Sequence, residues 1–208
     1  MRELSTRFTR AVDYARTAHA SQVRKGSQIP YLYHLLGVAS LALEFGGDED
    51  QVIAALLHDV VEDCGEAHRD IVRQEFGDTV ADIVEACTDG TAEGKASMND
   101  AEAKRRDWIQ RKLAYLDHLR GASDQVLLVS GCDKLHNARA IVQDIENPEV
   151  GELVFSRFKG GKAGTLGYYE ALARIFSARG APMAAVLDAV VGRLHGLALV
   201  EDRQPLQG

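Results

Sequence analysis

The sequence predicts an all-α fold, a single helical bundle. Apolar residues recur at helical spacing along most of the 208 positions, and runs alternating apolar with polar are nearly absent. Only four prolines interrupt the chain, and no internal repeat or low-complexity tract breaks the pattern. A chain this long buries about 70% of its extended surface, so one core can hold it without disulfides or metal.

The elements follow in order. Phe8, Ala11, Val12, Ala15 and Ala18 share one face, which predicts a helix from Arg7 to His19. A polar stretch, Gln22 to Gln28, reads as a loop. Pro30 suits a helix first turn, and the next helix runs to about Phe45, where Gly46-Gly47 ends it. Asp48 is the expected N-cap of a third helix reaching Asp63. Shorter helices fit Ala67–Phe76 and Asp78–Cys87. Residues 88–103 are small and polar and read as a long loop, either functional or disordered. Long helices fit 100–120 and 124–146, and two more fit 166–179 and 181–199. Asn147-Pro148 marks a break. The expected organisation is a core over 1–147, C-terminal helices over 148–200 packed on the same domain, and a frayed tail over 201–208.

Composition narrows the function. The 24 Lys and Arg against 31 Asp and Glu give a net charge of −7, which disfavours a nucleic-acid-binding surface or an anionic membrane as partner. No apolar run reaches the roughly 18 residues of a membrane span. Three cysteines, Cys64, Cys87 and Cys132, lack CxxC spacing and fit a reducing cytoplasm.

The third helix holds the main anomaly. Val52 to Leu57 is apolar all round, as in a buried helix, and then His58, Asp59, Glu62 and Asp63 follow. Three carboxylates and an imidazole there are costly unless a cation compensates, or unless the helix end is exposed and the acids are solvated. His34 lies in a second apolar helix, where a satisfied core histidine is the plain alternative. Asp133 follows the apolar run Val126 to Val129, where an N-cap is the alternative. Taken together, His34, His58, Asp59 and Asp133 offer two imidazoles and two carboxylates from three helices. That donor set suits Mn²⁺, Fe²⁺ or Zn²⁺.

The order H…HD…D resembles the HD superfamily of metal-dependent phosphohydrolases. A narrower resemblance covers roughly residues 12–142. His19-Ala20-Ser21-Gln22-Val23-Arg24-Lys25, with Pro30-Tyr31-Leu32-Tyr33-His34, is similar to the H-x-G-Q-x-R-K…P-Y-x-x-H signature of RelA/SpoT-type alarmone hydrolase domains. Ala54 to Asp63 matches that family's A-A-L-L-H-D-V-x-E-D. Phe76 to Ala81 matches F-G-x-x-V-A, and Asp133 to Arg139 matches D-R-L-H-N-x-R.

The resemblance implies an HD-domain helical bundle that removes the 3′-pyrophosphate of ppGpp or pppGpp. It implies that His34, His58, Asp59 and Asp133 hold one divalent ion, manganese in the family. Glu62 and Asp63 would be the catalytic acidic pair. Arg24, Lys25 and Asn137 would contact the substrate, a small phosphorylated nucleotide, and Lys134 stands where the family has Arg. Ala140 replaces a frequent Thr, Leu35 a frequent Pro, and one extra residue separates Arg24 from His34. These departures keep open an HD phosphohydrolase acting on another nucleotide, such as an adenine alarmone, NADPH or a nucleoside monophosphate. A non-catalytic nucleotide sensor or interaction module is the reading from a different class. A second basic group, Arg157, Lys159 and Lys162, flanks glycines and is a weaker candidate for phosphate contact. Tyr168 and Tyr169 are read as packing residues, and His68, His118 and His195 as solvated.

Overall fold

A computed structural model describes residues 3–88 and 100–207. The described residues form ten α-helices, one 3₁₀ helix and no strand, so the fold is all-α as expected. Most of the segment read as a loop over 88–103 lies outside the described residues. The chain divides into two compact units, Met1–Ser97 with Ser123–Asp133, and Met98–Ala122 with Lys134–Gly208. The division therefore falls between Asp133 and Lys134, not at Asn147-Pro148. That dipeptide ends a helix, and ending a helix does not require a new core.

The first unit is built around a buried helix. Its elements are α1 (Thr6–Ala18), α2 (Leu32–Glu44), α3 (Glu49–Leu57), α4 (Val60–Cys64), α5 (His68–Phe76) and α6 (Asp78–Cys87). Helix α3 packs against α1, α2 and α6. All six residues from Val52 to Leu57 are fully buried, which explains their uniform apolarity. Asp48 caps α3 as expected: its carboxylate accepts from Gln51 N, while Gln51 Oε1 accepts from Asp48 N, both at 2.9 Å. Just before it, Gly47 allows a close approach. A Cβ there would lie 2.8 Å from the Ala42 carbonyl oxygen and 3.1 Å from Leu128.

The expected helix to Asp63 is interrupted. Helix α3 stops at Leu57 and α4 resumes at Val60. His58 Nδ1 lies 2.8 Å from the Ala55 carbonyl oxygen, the acceptor that the helix ladder would offer to Asp59. The side chain competes for that carbonyl, and the chain turns at His58-Asp59.

The second unit contains α7 (Ala101–Gly121), α8 from Lys134 to its end (the whole helix is Asp124–Glu146), a 3₁₀ helix (Gly151–Arg157), α9 (Gly161–Ala178) and α10 (Ala184–Leu197). Asp100 caps α7, accepting from Ala103 N at 3.0 Å. Helix α9 packs against α7, α10 and the 3₁₀ helix. It begins five residues before the expected Leu166, because the glycines are helical packing positions. A Cβ on Gly160 would lie 2.5 Å from the Trp108 ring, and one on Gly164 would lie 3.1 Å from it. The tail is tied down where fraying was expected: Arg203 bonds buried Glu170 and Asp188, and Leu206 N donates to Gly167 O at 2.8 Å. His195 is buried, with Nδ1 2.9 Å from Val191 O, against its reading as solvated.

Candidate metal centre and acidic pair

Four donors of the first unit converge. His34 enters from α2 and is fully buried. His58 and Asp59 occupy the turn between α3 and α4, and Asp133 comes from α8. His34 Nε2 lies 3.1 Å from Asp133 Oδ1 and 3.6 Å from Asp59 Oδ2. His58 Nε2 lies 3.0 Å from Asp59 Oδ2 and 3.6 Å from Asp133 Oδ1.

The ligand atoms of His34, His58 and Asp59 lie close enough together that they could hold a cation, and Asp133 lies beside both imidazoles. Donors bound at about 2.1 Å sit about 3.0 Å apart at adjacent octahedral positions and about 3.4 Å apart in a tetrahedron. His58 supplies a further sign. Its Nδ1 faces the Ala55 carbonyl, which leaves Nε2 buried, aimed at the carboxylates and without a well-aligned hydrogen bond. Mixed N and O donors at this spacing fit a first-row divalent ion.

The electrostatics agree. Burial would raise Asp59, but the His58 and His34 imidazoles outweigh it and hold the carboxyl below its usual range. Burial would lower His58, yet Asp59 and Asp133 push the imidazole well above its ordinary value. His34 goes the other way, lowered by burial despite Asp133 beside it. The cluster thus gathers negative charge around two ring nitrogens, which suits a cation.

Outer contacts brace the cluster. Tyr31 Oη donates to Asp59 Oδ2 at 2.6 Å and stacks on His19, with ring centroids 5.2 Å apart. The Arg24 guanidinium lies over the Tyr31 ring, 5.7 Å from its centroid, and Lys25 beside it is exposed. Glu62 and Asp63 lie on α4. Asp63 is exposed, and Gln22 Nε2 donates to its Oδ2 at 2.8 Å. Crowding by neighbouring atoms and then the Asp59 charge raise Asp63, but water reaches the carboxylate and screens part of that push. Tyr31, Gln22 and His19 carry no separate role in the sequence pattern, although all three lie within its matched signature.

The remaining candidates belong to the second unit. Lys134 lies 5.1 Å from the Tyr115 ring centroid, and Asn137 is half-buried. Arg157 pairs with Asp144 at 2.6 Å and Lys162 with Glu152 at 2.7 Å, while Lys159 is exposed. Gly160 and Gly164 accommodate Trp108, so the KGGKAG segment is built for packing and not as an open phosphate loop. Tyr168 and Tyr169 are buried against each other, as expected for packing residues. Cys64 is half-buried beside His19, and Cys87 and Cys132 are buried.

The similarities to known proteins fit this geometry. A relative from Aquifex aeolicus, named guanosine-3′,5′-bis(diphosphate) 3′-pyrophosphohydrolase, is 35% identical over 133 residues, 64% of this chain and 17% of the relative. One from Mycobacterium leprae, named probable GTP pyrophosphokinase, is 34% identical over 134 residues, 64% of this chain and 15% of the relative. The chain thus spans less than a fifth of the length of these curated relatives. The solved structure of a metazoan ortholog of SpoT, described as hydrolyzing ppGpp and playing a role in starvation responses, superposes with a TM-score of 0.55. It is 27% identical and covers 86% of this chain and 98% of its own. The model of the HD domain matches residues 11–164, about three quarters of the sequence, and reaches from α1 past Asp133. With its H…HD…D residues gathered at one point, the chain belongs to the HD-domain family.

Proposed function

We propose that this chain is a divalent-metal-dependent hydrolase that removes the 3′-pyrophosphate of ppGpp and pppGpp, giving GDP or GTP and pyrophosphate. The observation that carries the reading is the convergence of His34, His58, Asp59 and Asp133 within 3.0–3.6 Å across the four His–Asp pairs, one helical turn before an acidic pair. Similarity to proteins named for this reaction supports the substrate.

The four donors would hold one ion, Mn²⁺ by resemblance to the family. When bound, such an ion polarises a phosphoryl oxygen and makes water acidic enough to attack near neutral pH. Asp63 or Glu62 orients the attacking water and takes its proton, an assistance worth about 10²–10⁴-fold. Arg24 and Lys25 attract the phosphates, and Arg24 is braced for this by Tyr31. Asn137 and Lys134 are the remaining substrate contacts of this reading. The enzyme works in the cytoplasm on a small nucleotide. Among the described residues no helix is long and apolar enough to cross a membrane.

The test is pyrophosphate release from ppGpp with Mn²⁺, with and without chelator, beside a panel of adenine alarmones, NADPH and nucleoside monophosphates. Turnover of ppGpp that chelator abolishes supports the reading. Turnover of another nucleotide alone transfers the site to that substrate, and metal-dependent binding without turnover makes the chain a sensor.

A further inference from the structure

The acidic pair sits on a helix of only five residues, and Asp63 is exposed there. An exposed aspartate at such a place has rotamer freedom that burial does not remove. A relay of side-chain hydrogen bonds removes it instead. Gln22, in the turn after α1, donates through Nε2 to Asp63 Oδ2 at 2.8 Å, and its Oε1 lies 2.6 Å from His19 Nδ1.

The direction of these bonds is determined chemically. An ionised carboxylate only accepts, so Gln22 must present its NH₂ to Asp63. Its carbonyl oxygen then faces His19, and only a protonated Nδ1 can donate to it. His19 is itself fixed. It is buried, its ring stacks on Tyr31 at an interplanar angle of 24°, and its nitrogens lie 3.6 and 3.8 Å from Cys64 Sγ. Tyr31 in turn donates to Asp59. The ring stack therefore ties the carboxylate of the metal cluster and the carboxylate of the acidic pair to one rigid support.

We infer that His19 and Gln22 are positioning residues that hold Asp63 in register with the metal cluster. The inference rests on the proposed hydrolase reading for its kinetic consequences, but the geometry is independent of it. Neither residue touches the four donors. Their loss disorders Asp63 and slows turnover, and leaves substrate affinity and metal binding in place.

Four variants test this in the full chain. Gln22→Met keeps the side-chain length and loses both bonds. Gln22→Glu keeps an acceptor for His19 and sets a carboxylate against Asp63. His19→Leu removes the donor, while His19→Asn places an amide N–H where Nδ1 stood. With ppGpp and Mn²⁺, kcat is expected to fall at least about tenfold in Gln22→Met, Gln22→Glu and His19→Leu, with KM within about twofold. His19→Asn is expected to recover most of the rate. Wild-type kcat in Gln22→Met overturns the inference. So does a His19→Asn variant that is as slow as His19→Leu at equal Tm, because packing would then be the whole role. NMR gives a readout that needs no turnover. The Gln22 side-chain amide protons should shift in Asp63→Ala and exchange faster in His19→Leu. If the wild type releases no pyrophosphate while the amide behaves as stated, the substrate reading fails and the positioning stands. If the amide ignores both substitutions, the positioning fails whatever the substrate.

Discussion

His58 Nδ1 faces the Ala55 carbonyl oxygen at 2.8 Å, so the ring turns Nε2 toward Asp59 and Asp133. The bond orients the ring before any ion arrives and leaves Nε2 as the nitrogen that an ion would take. Replacing His58 with Ala removes one of the four proposed donors and leaves both carboxylates facing one imidazole. Mn²⁺ affinity, measured by calorimetry, is expected to fall at least about 100-fold. Tyr31→Phe removes only the hydroxyl that braces Asp59, and a loss of about 10–100-fold in affinity or rate is expected there. Unchanged affinity in His58→Ala would exclude it from the metal site.

The charge state of His58 gives a pH dependence. Its carboxylate neighbours outweigh burial and raise it well above the ordinary histidine range. A raised imidazole holds its proton to a higher pH than a free one, and an ion must displace that proton to bind. Affinity therefore weakens as pH falls. Below the raised value, the Kd for Mn²⁺ should rise about tenfold per pH unit for the one proton released. Calorimetry in two buffers of different ionisation enthalpy measures that proton directly, and a proton count of zero would contradict the shift.

On the proposed reading, the acidic pair serves the chemistry and not the metal. Asp63→Ala or Glu62→Ala is expected to bind Mn²⁺ like the wild type and to lose at least about 100-fold in kcat. Full activity in either variant removes that acid from the mechanism.

Much of this was legible in the residues. Uniform apolarity from Val52 to Leu57 can only suit a helix covered on all sides, and α3 is covered on all sides. Asp48, just before the apolar run, reads as an N-cap, and it caps α3. The break at His58-Asp59 was not legible, because a side chain taking a backbone carbonyl leaves no trace in periodicity. The same holds for Gly160 and Gly164. A run of glycines and lysines reads as a loop until Trp108, more than fifty positions earlier, is known to need the space. His195 misled for a related reason, since its partner is a carbonyl of its own helix.

Cys64 adjoins the candidate acidic pair, yet it is a poor target for oxidation or alkylation. Burial, with Asp63 and Asp59 nearby, pushes the thiol up to about 11. Less thiolate forms at neutral pH, although a more basic thiolate is intrinsically more nucleophilic and offsets part of the loss. Iodoacetamide at pH 7.5 is expected to label Cys64 about tenfold more slowly than a free thiol, read by peptide mass spectrometry. Faster labelling than a free thiol would show a thiolate stabilised by something these neighbours do not supply.

Gly160 is the sharpest test of packing in the second unit. A Cβ there would lie 2.5 and 2.6 Å from two atoms of the Trp108 ring, closer than real contacts allow. The ring is large and wedged against helix α9, so it must shift as a body. Gly160→Ala is expected to destabilise by about 1–3 kcal/mol, measured by chemical denaturation. The clash depends on Trp108, so the effect should shrink in a Trp108→Ala background, with a coupling of about 0.5–3 kcal/mol. Additive losses would mean that the glycine is needed for the backbone and not for the ring. Gly121, where an added methyl would meet nothing within 4 Å, supplies the control. In the exposed last turn of α7, Gly121→Ala should be neutral or stabilising by up to about 1 kcal/mol, because alanine costs less backbone entropy in a helix.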